Sequence, residues 1–476
     1  MRVVVDYDLC ESNAICMQIA PDIFEVRDDD FLYVLNETPD EDRRAALEEA
    51  VQRCPKQAIS LAEDRRVALS TRAVRDSISI VGASLAGLRG AEALRRDGFS
   101  GAITLIGDEP HRPYDRPPLS KQVLAGDKEP ADAALSSDER IEELDLELRL
   151  GVRATALSTG DRRLTLDTGE ELAYDGLVIA TGARARQLPG TGDIAGVFTL
   201  RTVDDCVALR AAFDERPARV VVVGAGFIGA EVAATARERG LVVTVVEPLA
   251  TPMGRVLGDD IGRVCADVHR DHGVDLRLGL GVDRVDAVDG RVTGVTLSDE
   301  STVAADVVVV GIGVIPNTEW LDGSGLAIDN GVVCDETCLA APDVTAAGDV
   351  ARWPNPRFGE VMRVEHWDNA VEQGAAAARR LLVDDAAAEP FAPVPWFWSD
   401  QYDRKIQMAG RPRADDEQLM VTGSHDERRF ATIFGRDGVL TGVFGMNRPR
   451  HVMQYRGLIV DGSSWDDAVA FAREQA

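Results

Sequence analysis

Three cysteines near the N-terminus have the type and spacing of ligands for an iron–sulfur cluster. Cys10 and Cys16 are separated by five residues, and Cys54 lies 38 positions after Cys16 and precedes a proline. Thiolates hold such clusters, in one arrangement through a C-x2-C-x2-C turn and a distant Cys-Pro. The middle position of the turn is Asn13, and a carboxamide is a poor iron ligand beside thiolates. Three sulfur ligands suit a 3Fe-4S cluster. The alternatives are a 4Fe-4S cluster with water or Asn13 on the odd iron, and three ordinary buried thiols.

A glycine-rich turn at residues 82–87 has the spacing of a dinucleotide-binding site. The predicted strand Ser77–Val81 leads into the letters G-A-S-L-A-G, and a helix is expected over 88–96. Glycines permit the tight turn and the approach of a pyrophosphate to the helix N-terminus. Ser84 replaces the second glycine and offers a hydroxyl toward phosphate. The next predicted strand ends at Asp108-Glu109, where an acid can bind a ribose hydroxyl. An ordinary strand–helix turn is the alternative.

A second copy of this pattern is complete. A strand is predicted at 220–223, followed by the letters G-A-G-F-I-G at 224–229, and Glu247 ends the next strand, 23 residues after Gly224. That distance fits one strand–helix–strand unit with an acid on the adenosine ribose. A carboxylate repels a 2′-phosphate, and no arginine follows at positions 248 and 249. The sequence therefore favours NADH over NADPH.

Composition limits the classes of protein and partner. At roughly 150 residues per domain, 476 residues indicate three or four domains, and a net charge of −29 argues against nucleic acid or an anionic membrane as partner. No signal segment is apparent, and the longest apolar run, 307–315, is too short to span a bilayer. Seven cysteines without regular pairing indicate a reducing compartment. We expect a cytoplasmic monomer or weak dimer.

Residues 1–64 resemble the single-cluster bacterial ferredoxins. The resemblance rests on Val3, Asp6, the three cysteines and the A-P-x-x-F motif at 20–24. An amphipathic helix is predicted over 40–53 and a last strand over 58–61. The segment has sixteen acidic and six basic residues, a net charge of −10, which would steer it toward a basic docking face. Residues 65–76 are charged and without a clear period, which predicts a linker that keeps two modules at roughly millimolar effective concentration.

From Ser77 to the C-terminus the chain resembles the family of putidaredoxin reductase and biphenyl-dioxygenase ferredoxin reductase. The motifs are R-P-P-L-S-K at 116–121, A-T-G at 180–182, G-I-G-V-I-P-N at 311–317, A-G-D at 347–349 and P-W-F-W-S-D at 395–400. The resemblance implies an α/β fold with two Rossmann-like domains, after a ferredoxin-like α+β cluster domain (1–64) and the linker 65–76. It implies an FAD-binding domain at 77–180 and 313–390, split by a NAD-binding domain at 181–312, and a C-terminal α+β domain at 391–476.

The resemblance also implies site residues. Family positions that contact FAD correspond to Ala86, Asp108, Lys121, Ala154, Arg201, Asp349 and Trp367, and Glu365 is matched too. The motifs add Gly82, Ser84, Gly87, Glu109, Arg116, Thr181, Gly182 and Gly313 for FAD, and Gly224, Gly226, Ile228, Gly229 and Glu247 for the coenzyme. The family pairs a lysine and a glutamate, here Lys121 and Glu231, near the reactive edge of the flavin, and we expect them to be the catalytic residues. Trp396 and Trp398 are either core aromatics or aromatics close to the flavin.

Other chemistry has weaker signals. The first unit carries no C-x4-C or C-x2-C motif, which argues against thiol chemistry at the flavin. Cys334 and Cys338 form C-x3-C in a turn-rich stretch, and Cys206 and Cys265 lie in helical patterns that indicate buried thiols. His366, beside Glu365, is the one histidine with a candidate role.

The order of these parts implies a self-contained NADH:ferredoxin reductase. Electrons would pass from NADH to FAD, then to the cluster and on to an external oxygenase, with a cytochrome P-450 favoured because ferredoxins of this type commonly serve one. Two alternatives remain. One is a flavin NADH oxidase with a vestigial cluster, and the other is a redox-sensing interaction protein.

Overall fold

A computed structural model describes residues 1–5, 10, 12–27, 32–36, 38–56, 58–62 and 75–475 of the protein. The chain divides into two compact units. The first comprises Met1–Arg66, Ala250–Asp271 and Val394–Ala476, and the second comprises Val67–Leu249 and His272–Pro393. Both units contain helices and sheets, and the expected α/β class is confirmed.

A six-stranded sheet forms the centre of one half of the second unit. In spatial order its strands are Leu339–Ala341, Val344–Ala346, Gly176–Ile179, Ser77–Val81, Ala102–Gly107 and Leu146–Leu150, all parallel except the first. The helices Leu85–Arg96 and Trp367–Arg380 share a core with this sheet and approach each other at Gly90 and Gly374. The central strands are buried on both faces, against these helices on one side and against the smaller sheets of the same unit on the other.

The predicted strand Ser77–Val81 is confirmed, but the helix after it begins earlier than expected. It starts at Leu85 rather than Leu88, because Ser84 is still extended (φ −127°) and acts as the N-cap residue. The glycine turn is therefore shorter than its sequence motif.

A five-stranded parallel sheet forms the centre of the other half of the second unit. Its strands, in spatial order, are Val197–Thr199, Val307–Val310, Arg219–Val223, Val242–Glu247 and Asp275–Leu278. The helices Val203–Asp214 and Phe227–Glu238 pack on it through a core rich in valine. This is the second strand–helix–strand unit that the sequence predicts.

Smaller elements complete the second unit. Three antiparallel or mixed sheets contain Ala154–Ser158, Arg163–Leu166 and Glu171–Ala173; Val282–Val288, Arg291–Leu297 and Thr302–Ala304; and Val332–Val333, Ala351–Asn355 and Glu360–Met362. A two-stranded pair joins Ala183–Ala185 to Val314–Pro316, and two short helices span Gln122–Ala125 and Asp138–Glu143.

The first unit combines the N-terminal segment with a C-terminal sheet. The N-terminal strands are Arg2–Val5 paired with Ile59–Ala62, and Phe24–Val26 paired with Leu32–Val34, with helices Ile15–Ile19 and Arg44–Arg53. The antiparallel sheet has the order Trp396–Gln401, Arg404–Gly410, Val439–Met446, Arg429–Arg436 and Glu417–Ser424. The remaining helices are Gly254–Asp271, kinked at Gly258, Pro449–Val460 and Trp465–Gln475.

The predicted domain boundaries stay predictions. Asp6 and most of the predicted linker, residues 65–74, lie outside the described residues. The last two residues of the predicted linker are anchored, since Arg75 Nε donates to the Leu381 carbonyl at 2.9 Å and the Asp76 backbone amide donates to the Asp175 carboxylate at 3.0 Å. Within the described part of the chain, no helix has both the length and the apolar character needed to cross a membrane.

Candidate functional site

The three N-terminal cysteines line one pocket in the first unit. Cys16 lies in the helix Ile15–Ile19, and Cys54 follows the helix Arg44–Arg53 directly. Asn13 and Pro55 line the same pocket. No three His, Cys, Asp or Glu side chains among the described residues are close enough to hold one ion. A cluster differs from an ion because its iron atoms reach separate thiolates.

The chemistry of this pocket fits an iron–sulfur cluster. Desolvation is the main cause that raises the pKa of the Cys16 and Cys54 thiols, and the sulfur of Cys10 adds to the effect at both. Iron offsets such a cost, because metal charge deprotonates a coordinating thiol. The turn between the first two cysteines is left-handed at Ser12 (φ 51°) and Ala14 (φ 64°). Turns of this kind contribute N–H-lined concavities at iron–sulfur sites.

The residues expected at the FAD site follow the carboxyl ends of neighbouring parallel strands, which is where open α/β sheets bind ligands. The turn 82–87 follows Ser77–Val81, Asp108-Glu109 follows Ala102–Gly107, Thr181-Gly182 follows Gly176–Ile179, and Asp349 follows Val344–Ala346. The turn itself has no room for side chains. A Cβ at Gly82 (φ +124°) would lie 2.0 Å from the Ala180 oxygen, and one at Gly87 would lie 2.0 Å from the Gly82 oxygen.

Two arginines connect segments of this site that are far apart in sequence. Arg116 Nη2 donates to Glu109 Oε1 at 2.8 Å, and its Nη1 donates to the Arg201 carbonyl at 2.5 Å. Arg201 Nη2 in turn lies 2.6 Å from Asp349 Oδ2. The structure therefore brings four predicted residues into one network.

The two acids after the second strand have different surroundings. Glu109 is held by Arg116 and also accepts a hydrogen bond from the Tyr114 hydroxyl. The Asp108 side chain is 59% exposed and lies 4.0 Å from Arg153. Asp108 is therefore the acid more open to a ribose hydroxyl, while Glu109 orients the arginine network.

Lys121 and Glu231 form a buried ion pair. Lys121 Nζ is 2.8 Å from Glu231 Oε2, and the two residues are 9% and 3% exposed. The Ser120 hydroxyl donates to the same oxygen at 2.5 Å, and Thr235 Oγ1 donates to the Ser120 carbonyl at 2.8 Å. Glu231 lies on the helix Phe227–Glu238, so the pair joins the R-P-P-L-S-K segment to the helix that follows the second glycine motif. Sequence reasoning missed Ser120, although the R-P-P-L-S-K string contains it.

Two backbone amides fix the carboxylate of Glu247 at the end of the strand Val242–Glu247. Its Oε2 accepts from the Ala225 amide at 2.8 Å, and its Oε1 accepts from the Leu249 amide at 3.0 Å. The residue is 8% exposed. A carboxylate has about four acceptor positions, so two backbone bonds leave capacity for a ribose hydroxyl.

The glycines of the turn 224–229 differ in the space that a side chain would have. A Cβ at Gly226 would meet no protein atom within 4 Å, and its φ of −73° suits any residue. A Cβ at Gly229 would lie 2.0 Å from the Gly224 oxygen. The second glycine of such a motif lets the backbone approach the pyrophosphate. Gly226→Ala should therefore raise the KM for NADH about tenfold, which corresponds to a loss of about 1.4 kcal/mol of binding free energy. The melting temperature should not change.

The matched variant Gly229→Ala should instead lower the melting temperature by several degrees, because the helix must shift away from the turn. Calorimetry and steady-state kinetics on both variants make the comparison. A normal KM in the folded Gly226→Ala protein would show that the pyrophosphate lies elsewhere.

The chain enters and leaves the inserted segment at one place. The strands Ala183–Ala185 and Val314–Pro316 pair antiparallel. Thr181 Oγ1 donates to the Asn317 carbonyl at 3.0 Å, and the Asn317 amide nitrogen donates to the Gly182 carbonyl at 3.0 Å. Gly313 (φ +92°) lies beside this pair. The A-T-G and G-I-G-V-I-P-N motifs are therefore structural neighbours.

The remaining predicted residues have varied positions. Ala154 begins an antiparallel strand and is buried, and Glu365 lies 2.7 Å from Arg363. Trp367 begins the helix that follows His366, and its Nε1 donates to an Asp115 carboxylate oxygen at 2.7 Å. Ile228 is 47% exposed on the coenzyme helix, as a cofactor contact requires.

The aromatic string and the other cysteines lie in cores. Trp396 and Trp398 are buried and stacked, with ring centroids 5.3 Å apart, and a position near the flavin stays a prediction. Cys206 and Cys265 are buried in helices, as predicted, and burial raises their pKa values to about 11 and 12. Cys334 and Cys338 are buried too, and burial raises the pKa of Cys334 to about 12.

Comparison with known proteins identifies the family. The model of the family described as "Pyridine nucleotide-disulphide oxidoreductase" matches residues 76–374, more than half of the chain. The chain belongs to this family. Models described as "Reductase C-terminal" and "4Fe-4S single cluster domain" match residues 396–475 and 3–61. The reductase therefore has an iron–sulfur domain before its nucleotide-binding part, as the resemblance implied.

Similar proteins narrow the activity. Rhodocoxin reductase of Rhodococcus erythropolis is 41% identical over 386 residues, which is 80% of this chain and 89% of that protein. The anthranilate 1,2-dioxygenase system ferredoxin–NAD(+) reductase component of Burkholderia cepacia is 40% identical over 82% of this chain and 96% of its own length. The crystal structure of the ferredoxin reductase for the CYP199A2 system from Rhodopseudomonas palustris is 39% identical, with a TM-score of 0.77 over 82% of this chain and 95% of that one. The protein is an FAD-dependent ferredoxin reductase with an N-terminal iron–sulfur domain.

Proposed function

We propose that this reductase transfers electrons from NADH, through FAD, to a cluster at its own Cys10, Cys16 and Cys54, and then to an external oxygenase. The observation that carries the proposal is a three-cysteine pocket in the same chain as two glycine-rich turns of dinucleotide-binding type, whose neighbouring segments are joined by the ion pair of Lys121 and Glu231. FAD held beside the turn 82–87 would supply the chemistry that converts a two-electron hydride donor into the single-electron steps that a cluster requires.

The protein residues have positioning roles in this function. The turn 224–229 presents the N-terminus of the helix Phe227–Glu238 to the pyrophosphate, and Glu247 orients the ribose. Lys121 and Glu231 are proposed as the catalytic pair at the flavin edge. Both side chains are buried, so water is excluded from the contact between the helix Phe227–Glu238 and the R-P-P-L-S-K segment.

The finer cofactor identities are part of the proposal. Asn13 in place of a cysteine supports a 3Fe-4S cluster, with a 4Fe-4S cluster as the alternative, and Glu247 supports NADH over NADPH. Iron and sulfide analysis with electron paramagnetic resonance of the purified protein distinguishes the two clusters. A cytochrome P-450 is the favoured acceptor. Its test is turnover of a substrate-loaded bacterial P-450 with this protein, NADH and no other ferredoxin.

Rapid anaerobic mixing tests the central electron transfer. We expect NADH to reduce the cluster at a rate that stays constant over a tenfold range of protein concentration, because donor and acceptor are tethered. NADPH at the same concentration should be slower. A rate that rises in proportion to protein concentration would mean transfer between molecules, and a cluster that NADH never reduces would rule out the relay.

A further inference from the structure

The residue that replaces the missing cysteine is bound by the C-terminal sheet. Asn13 is 7% exposed, and its side-chain oxygen Oδ1 accepts a hydrogen bond from Lys405 Nζ at 3.0 Å. Its backbone carbonyl accepts from Gln407 Nε2 at 3.4 Å. Lys405 and Gln407 are alternate residues of the strand Arg404–Gly410, so they project from the same face of the sheet. This strand therefore holds both oxygens of Asn13.

A second contact holds the helix that carries Cys16. Arg456 is 4% exposed on the helix Pro449–Val460. Its Nη1 donates to Gln18 Oε1, and its Nη2 donates to the Val394 carbonyl at 3.1 Å. Since Asn13 precedes this helix and Gln18 lies within it, the cluster turn is anchored to the C-terminal module on both sides of Cys16.

An acidic residue of the P-W-F-W-S-D string lies beside the Lys405 ammonium. Asp400, the last residue of P-W-F-W-S-D, is directly opposite Lys405 in the sheet register, with 3.9 Å between Oδ1 and Nζ. The two side chains are only 23% and 17% exposed. Charges that are partly buried are screened less by salt than surface charges. The Lys405 ammonium therefore lies beside the turn at residues 12–16, where salt screens its charge less than it would at the surface.

We propose that Lys405 is a positioning residue for the iron–sulfur cluster. Its hydrogen bond keeps Asn13 out of the iron ligand set and fixes the turn at residues 12–16 on the C-terminal sheet. Its charge raises the reduction potential of the cluster. The inference rests on the proposed function only in requiring a cluster at the three cysteines. Reduction adds negative charge to a cluster. A fixed ammonium nearby therefore stabilises the reduced form more than the oxidised form.

Four full-length proteins test this role: wild type, Lys405→Met, Lys405→Gln and Arg404→Met. Lys405→Gln removes the charge but keeps a hydrogen-bond donor for Asn13, and Arg404→Met removes a neighbouring charge that projects from the opposite face of the strand. Potentials are measured by chemical reductive titration with electron paramagnetic resonance, without NADH. Backbone hydrogen exchange of residues 12–19 reports the anchoring of the turn.

Loss of the charge in Lys405→Met or Lys405→Gln should lower the reduced-to-oxidised ratio at fixed potential about tenfold, for unit charges roughly 10 Å apart at an effective dielectric constant near 20. Tenfold corresponds to about 59 mV for one electron. Exchange of residues 12–19 should quicken in Lys405→Met and much less in Lys405→Gln. Arg404→Met should match wild type in both measurements.

Potentials of the two Lys405 variants that equal wild type would overturn the charge effect, and wild-type exchange in Lys405→Met would overturn the anchoring. Neither result would affect the relay, which is judged by whether NADH reduces the wild-type cluster. A wild-type cluster that responds to the chemical reductant but never to NADH would reject the relay and leave the role of Lys405 intact.

Discussion

Replacing Cys16 with alanine should abolish NADH-dependent reduction of cytochrome c and leave NADH-dependent reduction of ferricyanide close to the wild-type rate. Cys16 is buried in the pocket that Cys10 and Cys54 also line, so its loss removes one of three sulfur ligands. Ferricyanide can take electrons from the flavin site directly, whereas the relay reaches a protein acceptor through the cluster. The expected fall in the cytochrome rate is at least 100-fold, which corresponds to about 2.7 kcal/mol in transition-state free energy.

A matched control is Cys265→Ala. Cys265 is also buried but lies in the helix Gly254–Asp271 and does not line the cysteine pocket, so its replacement should leave both activities unchanged. Iron content, measured on the same samples, should fall in Cys16→Ala alone. The relay is wrong if both activities of Cys16→Ala survive at wild-type rates in a protein that has lost its iron.

Replacing Lys121 with methionine should slow flavin reduction by NADH about 100-fold, because a displacement of about 1 Å at the reacting groups costs that much. The same change should lower the free energy of unfolding by about 3 kcal/mol. The reason is that Glu231 would remain as a buried carboxylate without the Lys121 ammonium. Stopped-flow absorbance of the flavin and denaturant unfolding measure the two effects separately.

The double variant Lys121→Met/Glu231→Gln separates stability from catalysis. Neutralising the carboxylate should restore most of the lost unfolding free energy, since the buried residue at position 231 then carries no charge, but flavin reduction should stay slow. Lys128→Met, seven positions along the chain, controls for loss of a lysine and should behave as wild type in both assays. A normal rate of flavin reduction in Lys121→Met would show that the ion pair is structural.

The glycine turns could be predicted from sequence because local sterics dictate them. A Cβ at Gly82 or at Gly229 would lie within 2.0 Å of a carbonyl oxygen, so the motif and the backbone determine each other. The strand Ser77–Val81 could be predicted from the Ile and Val residues that precede the first glycine turn, and Glu247 from its position at the end of the strand Val242–Glu247. The cysteine pocket could be predicted too, since thiols at that spacing have few other uses.

Contacts between residues far apart in sequence could not be predicted in this way. Ser120 meets Glu231 across 111 positions, and Lys405 meets Asn13 across 392, and neither pair leaves a periodic signal in the chain. The network through Arg116 and Arg201 depends on contacts between segments that follow strands of two different sheets. Such pairings follow from tertiary packing, so they appear only in the structure.

The paired strands Ala183–Ala185 and Val314–Pro316 have an evolutionary consequence. They place the two ends of the intervening segment side by side, with Ala185 opposite Val314. A segment whose ends adjoin can be inserted into a host domain without separating the host strands, which is why domain insertion is tolerated at such sites. Recombination at these two strands would therefore exchange the intervening segment, with its five-stranded sheet, as one cassette and leave the six-stranded sheet intact.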